Sequence, residues 1–179
     1  MTLRPAKQRD LPTCMEMFDE LNRLQSPWRV FPPRPGIRDE VEDRYRAALQ
    51  DPDALLVVAE EDGAVVGMAE GHLHRPSTFS HQVAVELSSV FVRPGYRQRG
   101  LARSLTAEVA RFARRRGAAI LTLKSFAQNE EATEAWGRIG FRPRVLQMVA
   151  TSEELAAEPE PGEHQSPPTR ESSPGASRS

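Results

Sequence analysis

The sequence has very little cysteine, little lysine and no long apolar run. One cysteine in 179 residues, Cys14, excludes an internal disulfide and a cysteine-rich metal site, and it indicates a reducing compartment. The longest unbroken apolar run, ALLVVA at 54–59, is far too short to span a bilayer. The N-terminal MTLRPAKQRD has no apolar core of the kind that a secretory signal needs. We therefore expect a soluble, cytoplasmic protein without a membrane partner.

Lysine is scarce, so the positive charge is almost entirely guanidinium: of 24 basic residues only Lys7 and Lys124 are lysines. The charge is also uneven, with +3 on residues 1–150 and −4 on residues 151–179. A mildly positive body suits an anionic ligand but is too weakly charged to indicate nucleic acid, and it has no basic strand rich in aromatic residues. We expect no nucleic-acid partner.

The last 29 residues lack aromatic side chains and contain one large aliphatic residue, Leu155, among many Pro, Ser, Glu and Gly. Such a segment buries too little apolar surface to offset its ordering entropy. The hydrophobic content of the whole chain, 39%, is enough for one good core. The prediction is a single domain over residues 1–150 and a disordered tail over 151–179.

Alternating and helical patterns follow one another along residues 1–150. Strands are predicted at 2–6, 54–60, 64–74, 82–92, 118–126 and 141–150, the fifth of them buried. Helices are predicted after Asp10-Pro12, from Ile37 to about Asp51, from Gly100 to Gly117, and over 129–140. Strands between helices indicate an α/β domain with a mixed sheet.

The junction RPGYRQRGLARSL, residues 93–105, places four arginines and two glycines between a strand and a helix. The first amides of such a helix have no intrahelical partner and carry the positive end of the helix dipole. Gly100 would let a ligand approach the backbone closely, and the neighbouring guanidinium groups can neutralise phosphate oxygens. The junction is neither a Walker loop nor a Rossmann fingerprint. It indicates a pyrophosphate site, the alternative being an ordinary turn with solvated arginines.

Arg97-x-x-Gly100-x-Ala102 after a V-x-V strand resembles the acetyl-CoA signature [QR]-x-x-G-x-[GA] of the GNAT superfamily of N-acetyltransferases. Downstream, Asn129-x-x-Ala132 followed by Trp136, Gly140 and Phe141 is similar to the family's N-x-x-A-x-x-x-Y-x-x-x-G-F segment. The resemblance implies a mixed, mostly antiparallel central sheet flanked by helices on both faces. It also implies acetyl-CoA as acetyl donor, with direct transfer to an amine acceptor.

The same resemblance implies a cofactor site. The pantetheine arm would insert where the strand before the signature diverges from the next strand, and would pair there with the backbone of Val90, Phe91 and Val92. The pyrophosphate would contact the junction, namely Arg97, Gln98, Arg99, Gly100, Leu101, Ala102, Arg103 and Ser104. Asn129 would contact the cofactor arm.

Direct transfer needs a neutral amine, so a base must take a proton from the ammonium. Glu86, on the strand before the signature, is the first candidate because histone-acetylating relatives carry their catalytic glutamate there. His72, His74 and His81 are alternatives. His72-x-His74 lacks a nearby third ligand, so no metal site is expected.

Trp136 departs from the family pattern, in which a tyrosine at this position protonates the leaving thiolate. An indole N–H is not a useful acid at neutral pH. Solvent could protonate the thiolate instead, because a thiol pKa near ~8.5 makes it a fairly good leaving group. The alternative is a non-catalytic acyl-CoA-binding or regulatory module.

The loop between the first two helices covers the acceptor site in similar proteins, and here it presents Trp28 and Phe31 among prolines. These aromatic side chains could stack on an amine substrate or could cap the core. The resemblance also leads us to expect a homodimer. The identity of the acceptor does not follow from the sequence.

Overall fold

The computed structural model describes residues 1–29, 32–75, 82–150 and 152–156. The chain forms two compact units, residues 1–142 and residues 143–179. The strands of the first unit are β1 (Thr2–Pro5), β2 (Ala54–Glu61), β3 (Ala64–His74), β4 (Ala84–Val92) and β5 (Ile120–Leu123). Its α-helices are α1 (Leu11–Gln25), α2 (Ile37–Ala48), α3 (Leu101–Arg115) and α4 (Glu130–Ile139).

The five strands form one sheet in chain order, β1-β2-β3-β4-β5. The first four are antiparallel to their neighbours, and β5 is parallel to β4. The hairpin between β2 and β3 turns at Asp62 and Gly63, whose φ angles are 52° and 79°. Positive φ at both positions is what a two-residue hairpin loop of type I′ requires. The predicted mixed, mostly antiparallel sheet is confirmed.

Each face of the sheet carries its own apolar core. On the face covered by α1 and α2, called the α1/α2 face, Leu56, Val58, Met68 and Phe91 pack with buried helix residues such as Tyr45. On the opposite face, the α3 face, strand residues pack against the apolar stripe of α3, which consists of Leu101, Leu105, Val109 and Phe112. This stripe has the spacing of one helix face, which is why α3 was predictable. Helices therefore flank the sheet on both faces, as expected.

Strand β4 contains a β-bulge that changes which side chains face each core. Glu70 and Gly71 are consecutive on β3, yet they pair with Ser89 and Leu87, so Ser88 is an extra residue on β4. Before the bulge, Val85 and Leu87 pack into the core of the α3 face. After it, Phe91 packs into the core of the α1/α2 face. The bulge therefore places Glu86 and Ser89 on the same face, although they are three residues apart.

Two sequence predictions about the C-terminal part were wrong. Strand β5 is not a buried strand over 118–126; it has four residues, and Ile120 is 41% exposed, because β5 is the last strand of the sheet. The predicted strand at 141–150 does not form either, since residues 141–150 have no regular secondary structure and the second unit begins at Pro143. Its apolar side chains Val145, Leu146 and Met148 are exposed. A strand needs a hydrogen-bonded partner, and in the described part of the second unit the regular element is the short helix α5 (Ser152–Ala156).

Candidate active site

Strand β5 ends beside the middle of β4, so the pairing of the two strands stops part of the way along β4. They pair only from Ala84 with Ile120 to Leu87 with Leu123, whereas β4 continues to Val92. From Ser89 to Val92 the strand keeps its pairing with β3. On the other edge of this stretch the structure records no strand partner among the residues that it describes. We call this edge of β4, which continues past the end of β5 along Val90, Phe91 and Val92, the opening; insertion of a pantetheine arm there stays a prediction.

The start of α3 lies just beyond this opening. Gly100 precedes the helix in the left-handed conformation, with φ 78°, and no side chain caps the helix at that residue. The first intrahelical bond to Gly100 comes from the Ser104 amide at 3.0 Å, which leaves the amides before Ser104 without such a bond. A Cβ atom built on Gly100 would meet nothing within 4 Å. A ligand can therefore approach the backbone closely at this point.

Backbone strain marks the same loop. Gln98 has a φ of 61°, an uncommon value for a residue other than glycine. Such conformations cost of order 1–3 kcal/mol and are concentrated at ligand-binding and switch regions. The strain thus coincides with the residues that the sequence assigned to pyrophosphate.

Contacts within the protein orient Arg97 and Arg99, two of the four arginines of the junction. Arg97 donates to the Val92 carbonyl at 3.1 Å and stacks over the Phe91 ring at 5.8 Å. Arg99 lies 5.3 Å from the Tyr96 ring centroid and 3.6 Å from a carboxylate oxygen of Glu61. Each guanidinium has five donors, so these contacts orient the group and leave donors for an anion.

Arg103 belongs to the same junction but contacts another element. It donates a hydrogen bond to the Arg138 carbonyl at the end of α4. The bond links the first turn of α3 to the last turn of α4. It brings together the two segments that carry the family resemblance.

Asn129 caps α4. Its Oδ1 accepts a hydrogen bond from the Ala132 amide at 3.1 Å. This cap explains an asparagine at the position without any ligand, so contact with a cofactor stays a prediction. Trp136, on the same helix, packs edge-on against Phe141 with ring centroids 5.7 Å apart and lies against the core of the α3 face.

Glu86 lies on the α1/α2 face, one residue before the pairing of β4 with β5 ends at Leu87. Its side chain is 24% exposed, and one carboxylate oxygen is 3.1 Å from His74 Nε2. The other oxygen is 3.3 Å from Lys124 Nζ. The carboxylate is thus near the opening, reachable by solvent and in contact with two groups that can exchange protons.

The sequence analysis missed a second carboxylate, Glu70, whose side chain is 0% exposed. Arg44 from α2 donates two hydrogen bonds to it, Nε to Oε1 at 2.8 Å and Nη2 to Oε2 at 3.0 Å. His72 Nε2 is 2.7 Å from Oε1, and Ser89 Oγ donates to Oε2 at 3.4 Å. Tyr45 in turn donates to Ser89 at 3.5 Å. We call these five residues the Glu70 cluster.

The charge state of Glu70 follows from two opposing effects. Burial alone would raise its pKa, but the hydrogen bonds from His72 and Arg44 outweigh burial and hold the pKa below its ordinary value. Glu70 is therefore ionised at neutral pH. The signal in the sequence was a glutamate within AVVGMAEGHLH, at a position with the same strand parity as the buried Met68.

The remaining sequence predictions concern the aromatic residues Trp28 and Phe31, the histidine His81 and the expected absence of a metal site. Trp28 ends a 3₁₀-helix, Ser26–Trp28, and its ring centroid lies 6.4 Å from that of Phe126 after β5. The Trp28 side chain is half-buried, so it can pack against the protein and can also contact a substrate. Phe31 and His81 lie outside the described residues. Among the residues described, no group of three or more His, Cys, Asp or Glu side chains is placed to hold a metal ion.

A bulged β4 that extends past the end of β5, followed by an uncapped helix start, fits a domain of the acyltransferase class. A family model described as "Acetyltransferase (GNAT) family" matches residues 16–141. The chain belongs to this family. The expected family, the acyltransferase class and acetyl-CoA as acetyl donor are thereby confirmed.

Relatives with known sequences agree with this assignment. The chain is 23% identical over 141 residues to the uncharacterized N-acetyltransferase YhfO of Bacillus subtilis, covering 79% of this chain and 89% of YhfO. It is 28% identical over 97 residues to the uncharacterized N-acetyltransferase MJ1207 of Methanocaldococcus jannaschii, covering 54% of this chain. The chain spans less than half, 42%, of the length of MJ1207.

Solved structures share the fold. The aminoglycoside N-acetyltransferase AAC(6')-Iy in complex with CoA superposes with a TM-score of 0.67 at 21% identity, covering 84% of this chain and 93% of that chain. At this identity the likeness shows the fold.

No helix within the described ranges has the length and apolar character needed to cross a membrane.

Proposed function

We propose that the protein transfers the acetyl group of acetyl-CoA directly to an amine acceptor, within a ternary complex. The observation that carries this proposal is the edge of β4 that continues past the end of β5, together with the uncapped start of α3. A pantetheine arm in the opening would pair with the backbone of Val90, Phe91 and Val92. Its diphosphate would lie against the amides and guanidinium groups from Arg97 to Ser104, with Asn129 beside the arm.

Glu86 is the proposed proton acceptor. It lies on the sheet face opposite α3, next to the end of β5, and water reaches its carboxylate. An amine that approaches the acyl carbon from this side would meet Glu86 directly or through one water. The thiolate, a fairly good leaving group, takes its proton from solvent, because Trp136 cannot supply one.

The acceptor is proposed only as a class, an amine of a small molecule or of a protein. Trp28 and Phe31 are the proposed aromatic contacts, since Trp28 bridges the α1–α2 connection to Phe126. AAC(6')-Iy is an aminoglycoside acetyltransferase, so aminoglycosides belong in the first panel of amines to be screened, with polyamines and peptide amines. The homodimer stays a prediction, which light scattering after size exclusion would test.

Calorimetric titration with acetyl-CoA tests the cofactor site. Gly100→Glu places a carboxylate where the diphosphate would lie, and Gly100→Gln introduces the same volume and the same backbone strain without the charge. We expect micromolar binding to the wild type and at least about a 100-fold greater loss in the Glu variant than in the Gln variant, since the added carboxylate would lie well within one Debye length of the diphosphate charges. Equal losses in the two folded variants would contradict an anion site at Gly100.

Glu86→Gln then separates catalysis from mere binding. We expect turnover to fall about 100-fold while acetyl-CoA affinity is retained, as for the loss of a general base. Unchanged turnover would remove Glu86 as the base. Acetyl-CoA binding by a wild type that acetylates no amine in the panel would favour the non-catalytic module.

Cys14→Ala tests whether transfer is direct. Burial raises the pKa of the Cys14 thiol to about 12, and its side chain lies inside the core of the α1/α2 face. The thiolate is therefore almost absent at neutral pH, and an acetyl-cysteine intermediate is not accessible. Turnover should be unchanged in the variant. A folded Cys14→Ala protein without activity would contradict the ternary-complex mechanism.

A further inference from the structure

Acetylation of an amine requires that two protons leave its nitrogen. The acceptor is an ammonium in water at neutral pH, so one proton leaves before attack and a second leaves when the amide forms. Glu86 can hold one of them at a time. The structure places another proton acceptor next to it, because His72 on β3 is the direct cross-strand partner of Glu86 on β4. Directly opposite residues on one sheet face have Cβ atoms about 4.5–5.5 Å apart.

The Glu70 cluster orients the His72 ring. Its Nε2 lies 2.7 Å from Glu70 Oε1, and Glu70 is an ionised carboxylate that can only accept a hydrogen bond. Nε2 must therefore carry a proton, so in the neutral ring Nδ1 is the free lone pair. The side chain is 25% exposed, hence the imidazole is not sealed in the core.

Arg44 fixes the position of the Glu70 carboxylate beside His72. Its two hydrogen bonds come from α2 and fix both carboxylate oxygens, and Ser89 adds a longer bond to Oε2. The carboxylate cannot turn away from His72 without breaking this bidentate pair. Glu70 and Arg44 are thus positioning residues that act through His72.

The residues around His72 come from strands β2, β3 and β4 and from helix α2. Glu70 lies on its own strand, Glu86 lies opposite on β4, and the residue opposite on β2 is Ala54. Helix α2 contributes the Arg44 guanidinium, which is bound to Glu70. His74 and Lys124 contact Glu86 on its two oxygens. The two acidic groups that adjoin His72 thus differ, since Glu70 is buried and neutralised by Arg44 whereas Glu86 is partly open.

We propose that His72, oriented by the buried Glu70–Arg44 pair, is a second proton acceptor of the acetyl-transfer site and works beside Glu86. The inference rests on the proposed function and deepens it. The ammonium gives one proton to His72 Nδ1, and the ring becomes an imidazolium that keeps its Nε2–H bond to Glu70. The amine lone pair then forms the N–C bond to the acyl carbon, and the C–S electron pair leaves with the thiolate. Glu86 takes the second nitrogen proton, and the thiolate is protonated from solvent.

Kinetics of His72→Gln test the role in turnover, with an amine found in a panel of spermidine, kanamycin and lysine methyl ester. We expect kcat to fall about 100-fold and one ionisation to disappear from the pH–rate profile, while the Kd for acetyl-CoA stays within twofold of the wild type. The double variant Arg44→Met/Glu70→Met removes both charges together, which protects folding, and should lower kcat about tenfold because the imidazole loses its orientation. An unchanged kcat and pH profile in folded His72→Gln would overturn the proposal.

Nitrogen-15 NMR of the free protein provides a readout that needs no substrate. We expect a slowly exchanging, downfield Nε2–H proton on His72 and an unprotonated Nδ1, lost in the double variant and kept in His74→Gln. A proton on Nδ1 of the neutral ring would overturn the proposal. Failure of the proposed function is a different result, because it would be seen as a folded wild type that does not bind acetyl-CoA.

Discussion

Apolar side chains of β2, β3 and β4 meet an apolar helix stripe on the α3 face of the sheet, whereas the α1/α2 face encloses an ionised carboxylate. On the α3 face packing is so close that a Cβ atom on Gly71 would lie 2.6 Å from Val109. The buried polar residue on α3, Thr106, satisfies its hydroxyl on its own helix by donating to the Ala102 carbonyl. On the other face, Glu70 is 0% exposed and depends on partners from α2, β3 and β4.

The two faces therefore differ in how far their buried residues serve stability. A buried ion pair is weak evidence for stability, because the cost of removing both charges from water offsets most of their attraction. A purely apolar α1/α2 face would serve the fold at least as well. The Glu70 cluster is therefore better explained by the proposed acetyl-transfer site than by stability, and each face should respond differently to substitution.

Breaking the ion pair on one side should have the largest effect. Arg44→Met leaves Glu70 buried without its main partner, and we expect the free energy of unfolding to fall by about 3 kcal/mol at pH 7. This figure is at the low end for a buried pair because Arg44 is itself 41% exposed. The double variant Arg44→Met/Glu70→Met should recover most of the loss, as measured by urea unfolding. A double variant less stable than Arg44→Met would contradict this account.

The pH dependence of the same variant provides a sharper test. In the folded wild type the pKa of Glu70 is lowered. Its ionised form therefore contributes to the free energy of unfolding above the pKa of glutamate in the unfolded chain, about 4.3. This contribution is lost as the pH falls through the pKa of the folded state. Without Arg44, burial still raises the pKa of Glu70 and only His72 opposes it, so the folded variant takes up a proton at a higher pH than the folded wild type does. The stability gap between wild type and Arg44→Met should therefore narrow between pH 7 and about pH 4. A difference in stability between the two proteins that widens as the pH falls would contradict this account.

Overpacking the α3 face should cost somewhat less. In Gly71→Ala the new methyl group meets Val109 at 2.6 Å and Val85 at 3.2 Å, and both are β-branched and stiff. We expect a loss of about 2 kcal/mol in the free energy of unfolding. Gly137→Ala is the matched control, because a Cβ atom there meets nothing within 4 Å and the site lies inside α4. The control should be neutral or stabilising, and equal losses at the two sites would contradict the packing argument.

The smallest effect is expected at the rim of the α3 face. Trp136→Tyr keeps an aromatic ring beside Phe141, so stability should change by less than about 1 kcal/mol. If solvent protonates the thiolate, the phenol adds nothing and kcat should not change. A rise in kcat of tenfold or more in steady-state assays would show that protonation of the leaving group limits the wild type.

Much of this architecture could be predicted from periodicity. Helices α1, α2 and α3 and the β2–β3 hairpin form close to their predicted positions, because an apolar stripe or a Gly63 turn is a local property. The loop from Arg97 to Gly100 was also recognisable, since it combines glycine with cations before a helix. The Glu70 cluster was not, because Arg44, Glu70 and Ser89 come from three elements that only the tertiary fold brings together.

The errors have the same origin. The apolar residues of 141–150 suggested a strand, but alternation predicts a strand only where another strand is available to pair with it. The length and burial of β5 depended in the same way on its place at the end of the sheet order. Periodicity can be recognised within a single segment, whereas strand pairing depends on which other segments lie beside it in the fold.

The extra residue in β4 can be understood as a change of phase. Along a regular strand the side chains of even-numbered and odd-numbered residues face opposite sides, and no even residue shares a face with an odd one. Ser88 shifts that alternation by half a period, so the α1/α2 face receives Glu86 before the bulge and Ser89 and Phe91 after it. Deleting this one residue would leave every other side chain of β4 unchanged in sequence and yet would exchange the two faces from residue 89 onward. The spacing of the proposed catalytic groups is therefore set by a count of residues as much as by their identity.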